Sequence, residues 1–383
     1  MTKEDIQYWL ALKFIDELGP VGIKNLINVY GSPKAVFAVP ENDLAMVQGI
    51  SKRLARKINE FDNWEKVERE LESAAAAQVS IISAQGSSYP RILLNIYDFP
   101  PVLYVKGLLS EEDISVAVIG SRMASTYGKF MTERLCRELA LNGITVVSGM
   151  ARGIDSAAHR GSLTGKGRTI AVLGSGIDVI YPPENKNLYE KIWKNGAVIS
   201  EFPFHTRPKG SHFPARNRII SGLSLGVVVV EATERSGSLI TARLGLEQGK
   251  EVFAVPGSID SPGSKGTHKL LKEGAKLVES VYDVLEEILP QIPSNLKVET
   301  SGKKELSEKR IHASTHISHN DDIGQLGKEE KTILKIIGKE PIYADNIIAL
   351  STLPPSDVLR ILLFLELKGH VEQLPGKRFK IKE

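Results

Sequence analysis

The sequence predicts an α/β protein built on a doubly wound, mainly parallel sheet, with a helical segment before it and a winged helix after it. Three observations carry that prediction. Short β-branched runs alternate with helical patterns across residues 112–289, and such alternation makes a parallel sheet with helices on both faces. Several of these runs are unbroken apolar, as strands covered on both faces are. After Gly327 the pattern becomes helix, helix, helix, hairpin.

The 383 residues allow two or three domains at roughly 150 residues each. Apolar residues at 42% and charged residues at 25% fit a soluble globular chain, and a net charge of +3 permits an acidic partner without demanding one. One cysteine, Cys136, excludes a disulfide framework and a thiolate cluster and fits a reducing compartment. The acidic start MTKEDIQYWLALKF is not a signal peptide, and no apolar run reaches the roughly 18 residues of a membrane span. The expected location is the cytoplasm.

Residues 1–75 read as helices joined by Gly/Pro turns. Gly19-Pro20-Val21-Gly22-Ile23-Lys24 is echoed by Val47-Gln48-Gly49-Ile50-Ser51-Lys52. The pattern suits helix-hairpin-helix units, whose turn amides can meet a phosphate. It suits equally a small bundle whose glycines only turn the chain, and the mixed flanking charges favour the bundle.

In the middle segment, strands are expected at Ser115–Ile119, Ile144–Ser148, Thr169–Leu173, Ala197–Ser200, Val227–Val230 and Val252–Val255, with a helix over Lys129–Leu141. Ligands of such sheets lie at the carboxyl ends of the strands. Those ends carry Gly120-Ser121-Arg122, Ser148-Gly149 with Arg152-Gly153, Gly174-Ser175-Gly176, Arg235-Ser236-Gly237-Ser238 and Pro256-Gly257. Glycine allows close backbone approach, and a following helix offers N–H groups to an anion, so five such ends favour a phosphate-bearing ligand. The dinucleotide pattern G-x-G-x-x-G fails after the first strand (Gly120-Ser121-Arg122-Met123-Ala124-Ser125), and no G-x-x-x-x-G-K-[ST] loop exists. NAD and ATP are therefore disfavoured, and no cofactor is expected. Arg122 instead suits a fork-like grip on phosphate.

Residues 202–230 contain no Asp or Glu, but hold Arg207, Lys209, Arg216 and Arg218 among Phe202, Phe204 and Phe213. Cations that track phosphates beside rings that stack bases are what a single strand needs. Phe202, directly after a strand, reads as core. Lys209 and Phe213 read as contacts, and Asn217 as a partner of loop carbonyls. Cys136 reads as a buried inert thiol. Asp155 and His159, four apart, could be a base and its orienter or an ion pair on a helix surface. No metal-ligand spacing is present outside His312, His316 and His319, which lie in the polar stretch 290–327.

The C-terminal segment is expected to form helices at Glu329–Ile337, Ala344–Leu350 and Pro355–Leu367, then a hairpin over Gly369–Phe379. That is a winged helix. Its third helix carries only Arg360 and Lys368 as cations, few for a duplex reader, so a protein contact or a weak DNA role is expected of it, with the wing at Lys377-Arg378 as the expected DNA contact. The chain thus divides into a helical domain (1–75), a sheet domain (80–289), a flexible linker (290–327) and a winged-helix domain (328–383).

Six ordered segments, VAVIGSRMASTYG (116–128), SGMARGID (148–155), TIAVLGSGIDVIYP (169–182), FPARNRIISGL (213–223), RSGSLITA (235–242) and VFAVPG (252–257), resemble the DprA/Smf DNA-processing proteins. The resemblance covers about 85–280 almost continuously. It implies an extended Rossmann-like core that binds single-stranded DNA, protects incoming strands in natural transformation and loads RecA onto them. A homodimer, RecA and single-strand-binding protein are the implied partners, and no catalysis is implied. The phosphate and DNA residues are then Gly120, Ser121, Arg122, Ser125, Ser148, Gly149, Gly153, Lys209, Phe213, Arg216, Asn217, Arg218, Ser236, Gly237 and Ser238. Lys209 is matched only loosely, because its loop is variable. The rival reading is a LOG-like nucleotide phosphoribohydrolase. The doubled glycine of its G-G-x-G-T loop and its glutamate are both missing at Ser236-Gly237-Ser238-Leu239-Ile240-Thr241.

Overall fold

The structure, a computed structural model, describes residues 3–110, 113–292, 328–338, 341–351 and parts of 353–381. It divides into two units, Met1–Thr300 and Ser301–Glu383.

The first unit opens with six helices, α1 (Lys3–Phe14), α2 (Pro20–Tyr30), α3 (Pro33–Val36), α4 (Glu41–Leu44), α5 (Lys52–Asn59) and α6 (Trp64–Ala76). Their starts follow local rules. Pro20 and Pro33 stand in first turns, where a missing N–H costs nothing, and Ser32 and Ser51 accept from Ala35 N and Leu54 N at 3.2 Å each. Ile23, Leu26 and Ile27 bury one face of α2. The rings of Tyr8, Phe37, Phe61 and Trp64 pack with centroids 5.3 to 5.9 Å apart. These helices share one apolar core with the sheet, in which Trp9, Leu10, Leu26 and Ile58 join Val102, Tyr104 and Ile199. The Glu70 carboxylate of α6 also accepts from Phe204 N at 2.8 Å.

The sheet has nine strands: β1 (Ser80–Ser83), β2 (Val102–Gly107), β3 (Ser115–Ile119), β4 (Thr145–Ser148), β5 (Thr169–Leu173), β6 (Ala197–Ser200), β7 (Gly226–Val229), β8 (Glu251–Ala254) and β9 (Lys276–Leu277). Their order is β1-β2-β6-β5-β4-β3-β7-β8-β9. The β1–β2 and β2–β6 pairs are antiparallel and the others parallel. The six expected strands appear within one residue of their expected bounds. The two strands of the antiparallel edge and the two-residue β9 were not anticipated. Helices α7 (Thr126–Leu141), α8 (Ile154–Thr164), α9 (Lys186–Lys194), α10 (His212–Gly222), α11 (Gly237–Glu247), α12 (Lys265–Lys272) and α13 (Val281–Ile288) connect and cover the strands. Successive side chains of a strand face opposite ways. Val116 and Val118 of β3 accordingly join a core with Leu135, Leu139, Val284 and Ile288, while Ala117 and Ile119 join the core shared with the N-terminal helices. Cys136 is wholly buried in the former, and burial raises its thiol pKa, as expected of an inert cysteine.

In the second unit, α14 (Lys328–Ile337), α15 (Ala344–Leu350) and a sheet of order β10-β12-β11 form around Ile333, Ile347, Leu365 and Phe379. Here β10 is Ile342–Tyr343, β11 Val371–Leu374 and β12 Arg378–Ile381. The β11–β12 pair is the wing. Residues 358, 361–362 and 365–366 are helical where the third helix was expected. Lys377, Arg360, Lys368, the three linker histidines and residues 293–327 lie outside the described residues.

Candidate functional site

The chain runs outward from β3 to β6 and then returns to place β7 beside β3. In open sheets of this kind, a nucleotide's phosphates lie in the crevice where the strand order reverses, at the first helix's N-terminus. Here that position holds the protein's own anion. Glu231, just past β7, accepts from Ser125 N at 2.9 Å and from the Ser125 hydroxyl at the start of α7. Ser125 also caps Gly128 N at 2.9 Å. Its hydroxyl is thus engaged as a structural joint, which corrects its expected place among the ligand contacts.

A shallow open cleft lies one step along, over the carboxyl ends of β3, β4 and β5. Its walls include Arg122, Gly149, Arg152, Ser175, Tyr181 and Phe213. The Phe213 ring, in the first turn of α10, has the Arg122 guanidinium 4.9 Å from its centre and that of Arg216 at 6.0 Å. Tyr181 lies 5.8 Å away, ring to ring. The cleft thus presents two aromatic rings and the cations Arg122 and Arg152 from two loops, with Arg216 behind them.

The cations differ in what holds them. Arg216 is 3% exposed, and its Nη1 donates to Gly149 O at 2.7 Å and to Val172 O. Its Nε donates to Asn217 Oδ1 at 3.2 Å, so Asn217 serves this arginine rather than loop carbonyls. Burial brings the Arg216 guanidinium down to about 10, with Asp155 acting in the opposite sense. It remains a cation at neutral pH, held beneath the cleft. A Cβ at 149 would lie 2.4 Å from Arg216 Nη1 and would displace the guanidinium from its place against Gly149. Arg152 is exposed and donates to both oxygens of Glu184, to Oε2 at 3.1 Å. Arg122, Arg207, Lys209 and Arg235 are exposed and have no carboxylate partner among the described residues. Arg122 is therefore the cleft's available cation. Lys209 is equally available, on the loop before α10, but does not line the cleft.

The loop amides do not face the cleft as expected. Those of Gly149 and Ala151 point inward to the Asp155 carboxylate, Ala151 N at 3.3 Å from Oδ2. Buried Asp155 needs donors, and it draws these two amides away from the cleft. Gly153 takes φ +76° with its α-carbon against Ser121 O, where a Cβ would lie at 2.2 Å. That contact lets Ser121 O accept from Ile154 N at 3.1 Å and joins the β3 and β4 loops. Gly120 packs on Ile154 beneath them.

Other expected contacts are structural too. Ser148 is buried and donates to Val118 O at 2.7 Å. Arg218 is buried between Asp98 at 3.0 Å and Glu201 at 2.7 Å, a bridge away from the cleft wall. Ser236 caps α11, and its hydroxyl meets that of Ser238 at 2.8 Å, with open space above Gly237. Asp155 and His159 are neither a catalytic pair nor a surface ion pair. Both are buried, and His159 Nδ1 meets Thr169 Oγ1 at 2.7 Å. Phe202 is half-buried and stacks on His212 with ring centres 4.3 Å apart. Among the described residues no group of three His, Cys, Asp or Glu could hold a metal ion, and no helix is long and apolar enough to cross a membrane. Tyr181 and Arg152 line the cleft; Arg152 was read at its strand end but not among the contact residues, and Tyr181 was not singled out. Their only signal was position, since both follow strand-end glycines.

Fold and cleft together define a Rossmann-like protein in which a carboxylate occupies the helix N-terminus at the strand-order reversal and a neighbouring cleft sets an exposed arginine beside two aromatic rings. The DNA recombination-mediator protein A model matches residues 80–289, and the DprA winged helix domain model matches 320–377. The chain belongs to the DNA recombination-mediator protein A family, the DprA/Smf proteins. It is 36% identical to protein Smf of Escherichia coli, over 97% of this chain and 95% of that one. The X-ray structure of DNA processing protein A from Streptococcus pneumoniae superposes with a TM-score of 0.66 at 38% identity, covering 74% of this chain and 98% of that one. A structure of DNA processing protein A from Helicobacter pylori, which concerns that protein's single-stranded DNA binding mode, gives 0.51 at 32% identity, covering 56% and 98%.

Proposed function

We propose that this chain is a non-catalytic single-stranded DNA-binding protein. In this reading it protects incoming strands in natural transformation and loads RecA onto them, acting as a homodimer in the cytoplasm with single-strand-binding protein as a further partner. The observation that carries the reading is the cleft: an unpaired Arg122 and a buried cationic Arg216 flank Phe213, beside Tyr181. Cations hold the backbone by charge and the rings take base faces, a combination indifferent to sequence. A duplex hides its base faces and gains only the charge. The single-strand binding of the Helicobacter pylori relative supports the reading. In this reading the winged helix adds a partner or duplex contact while the cleft keeps the single strand.

Binding of single-stranded and duplex oligonucleotides at several salt concentrations tests it. Single strands should bind far better, with log affinity falling against log salt by about 0.7 for each phosphate neutralised. Incubation with nucleoside monophosphates should release no base. Equal affinity for duplex, or base release, would overturn the proposal.

A further inference from the structure

An apolar stripe opens α7, and no part of the described chain covers it. Met123 is 94% exposed, Tyr127 56% and Phe130 64%. Tyr127 and Phe130 are three apart on the helix and share a face. Met123 lies in the loop that leads from β3, directly after the cleft residue Arg122. Large apolar side chains grouped in water mark a contact surface.

Charge decides what the contact is. From Ile114 to Thr132 the chain has no Asp or Glu, and Arg122 and Lys129 are its only charges. Neither has a carboxylate partner among the described residues. Glu231 reaches this segment, but its two oxygens are taken by Ser125. Glu133, three residues past Phe130 on the helix, is held by Arg160 at 2.9 Å. Rings interleaved with free cations, with no unpaired acid between them, form a surface for stacked bases and a phosphate backbone. A protein partner would need either a larger apolar face or acids of its own.

We propose that Tyr127 and Phe130 form a second stacking platform, on which bases rest as a single strand leaves the cleft past Arg122, with Lys129 beside the backbone. This rests on the single-strand reading above.

The test uses the full chain and the double variant Tyr127→Ala/Phe130→Ala. Both side chains are exposed, so the melting temperature should hold. Oligothymidine of about twenty nucleotides should bind the variant roughly tenfold or more weakly, while one of about four, filling only the cleft, should bind unchanged. An abasic strand of the longer length should bind both proteins alike, and the salt slope should not move, because no charge is lost. Tyr127→Trp/Phe130→Tyr should keep full affinity. The platform is overturned if the alanine variant binds long oligothymidine normally, or loses affinity equally for the abasic strand. It is also overturned if the variant keeps its DNA affinity but changes mass in solution, which would make the stripe a protein interface. If the unaltered chain binds no single strand, the platform and the single-strand reading fall together.

Discussion

The glycine turns of the N-terminal helices and the glycine-edged strand ends of the sheet look alike in sequence, yet the structure equips them differently. Around the N-terminal turns the cations are already answered. Arg53 and Lys57 both bond Glu17, Arg56 lies 3.5 Å from Glu41, and Lys24 donates to Tyr97 O while resting over the Tyr97 and Phe99 rings. On α5 only Lys52 has no carboxylate partner among the described residues. At the sheet's carboxyl edge, Arg122, Lys209 and Arg235 have none. A cation that must first leave a carboxylate gains little from a phosphate, since one ion pair replaces another. The presence of glycine and charge therefore does not distinguish a binding edge from a packed turn. The pairing does.

The largest effect that would break this comparison is at Arg122. Arg122→Ala should weaken single-strand binding by about 1.5–3 kcal/mol, the range of a charge-assisted hydrogen bond. The melting temperature should stay nearly unchanged, because the side chain is exposed. Arg122→Lys should restore only part, since a point charge lacks the fork. Normal binding by the alanine variant would place the anion site elsewhere.

Acid separates the two regions next. Burial lowers His159 to about 3 from an ordinary 6.5. Below pH 6.5 the unfolded chain takes a proton that the folded chain refuses, so stability falls with pH down to about pH 3. At about 1.4 kcal/mol per unit, lowering pH from 6.5 to 5 removes roughly 2 kcal/mol. Asp155, held above the usual carboxylate range by burial, works in the opposite sense and offsets part of this at the acid end. The Glu17 carboxyl is held below its usual range by Lys57 and Arg53, so its contribution survives to still lower pH. Urea midpoints between pH 7 and 5 should therefore drop in the wild type and flatten in His159→Gln. An unflattened curve would put the acid-sensitive group outside the sheet.

The smallest effect sharpens the comparison from the other side. Glu17→Gln releases Arg53 and Lys57 beside the N-terminal turns. Single-strand affinity should rise at most a few-fold, with the salt slope steeper by about 0.7 for each released cation that reaches a phosphate. A larger gain would show that ion pairing alone silences a working helix-hairpin-helix site.

Much of this protein was determined by its sequence alone. Period-two and period-3.6 patterns, with glycines after the strands, located the six inner strands, α7 and α15, because those signals lie within a few residues of one another. The carboxyl edge of the sheet followed from chain order, and of the residues expected to meet DNA there, Arg122, Gly149 and Phe213 line the cleft. The antiparallel edge was missed because β1 and β2 are separated by a long loop and define each other only by pairing. Tertiary structure alone decided the fate of the polar side chains. Ser125 met Glu231 across 106 residues, Arg218 met Asp98 across 120, and the amides of 149 and 151 turned to Asp155. A residue's type states what it can bond. Whether that bond is still free for a ligand depends on which distant groups folding brings within reach, and burial forces such groups to pair.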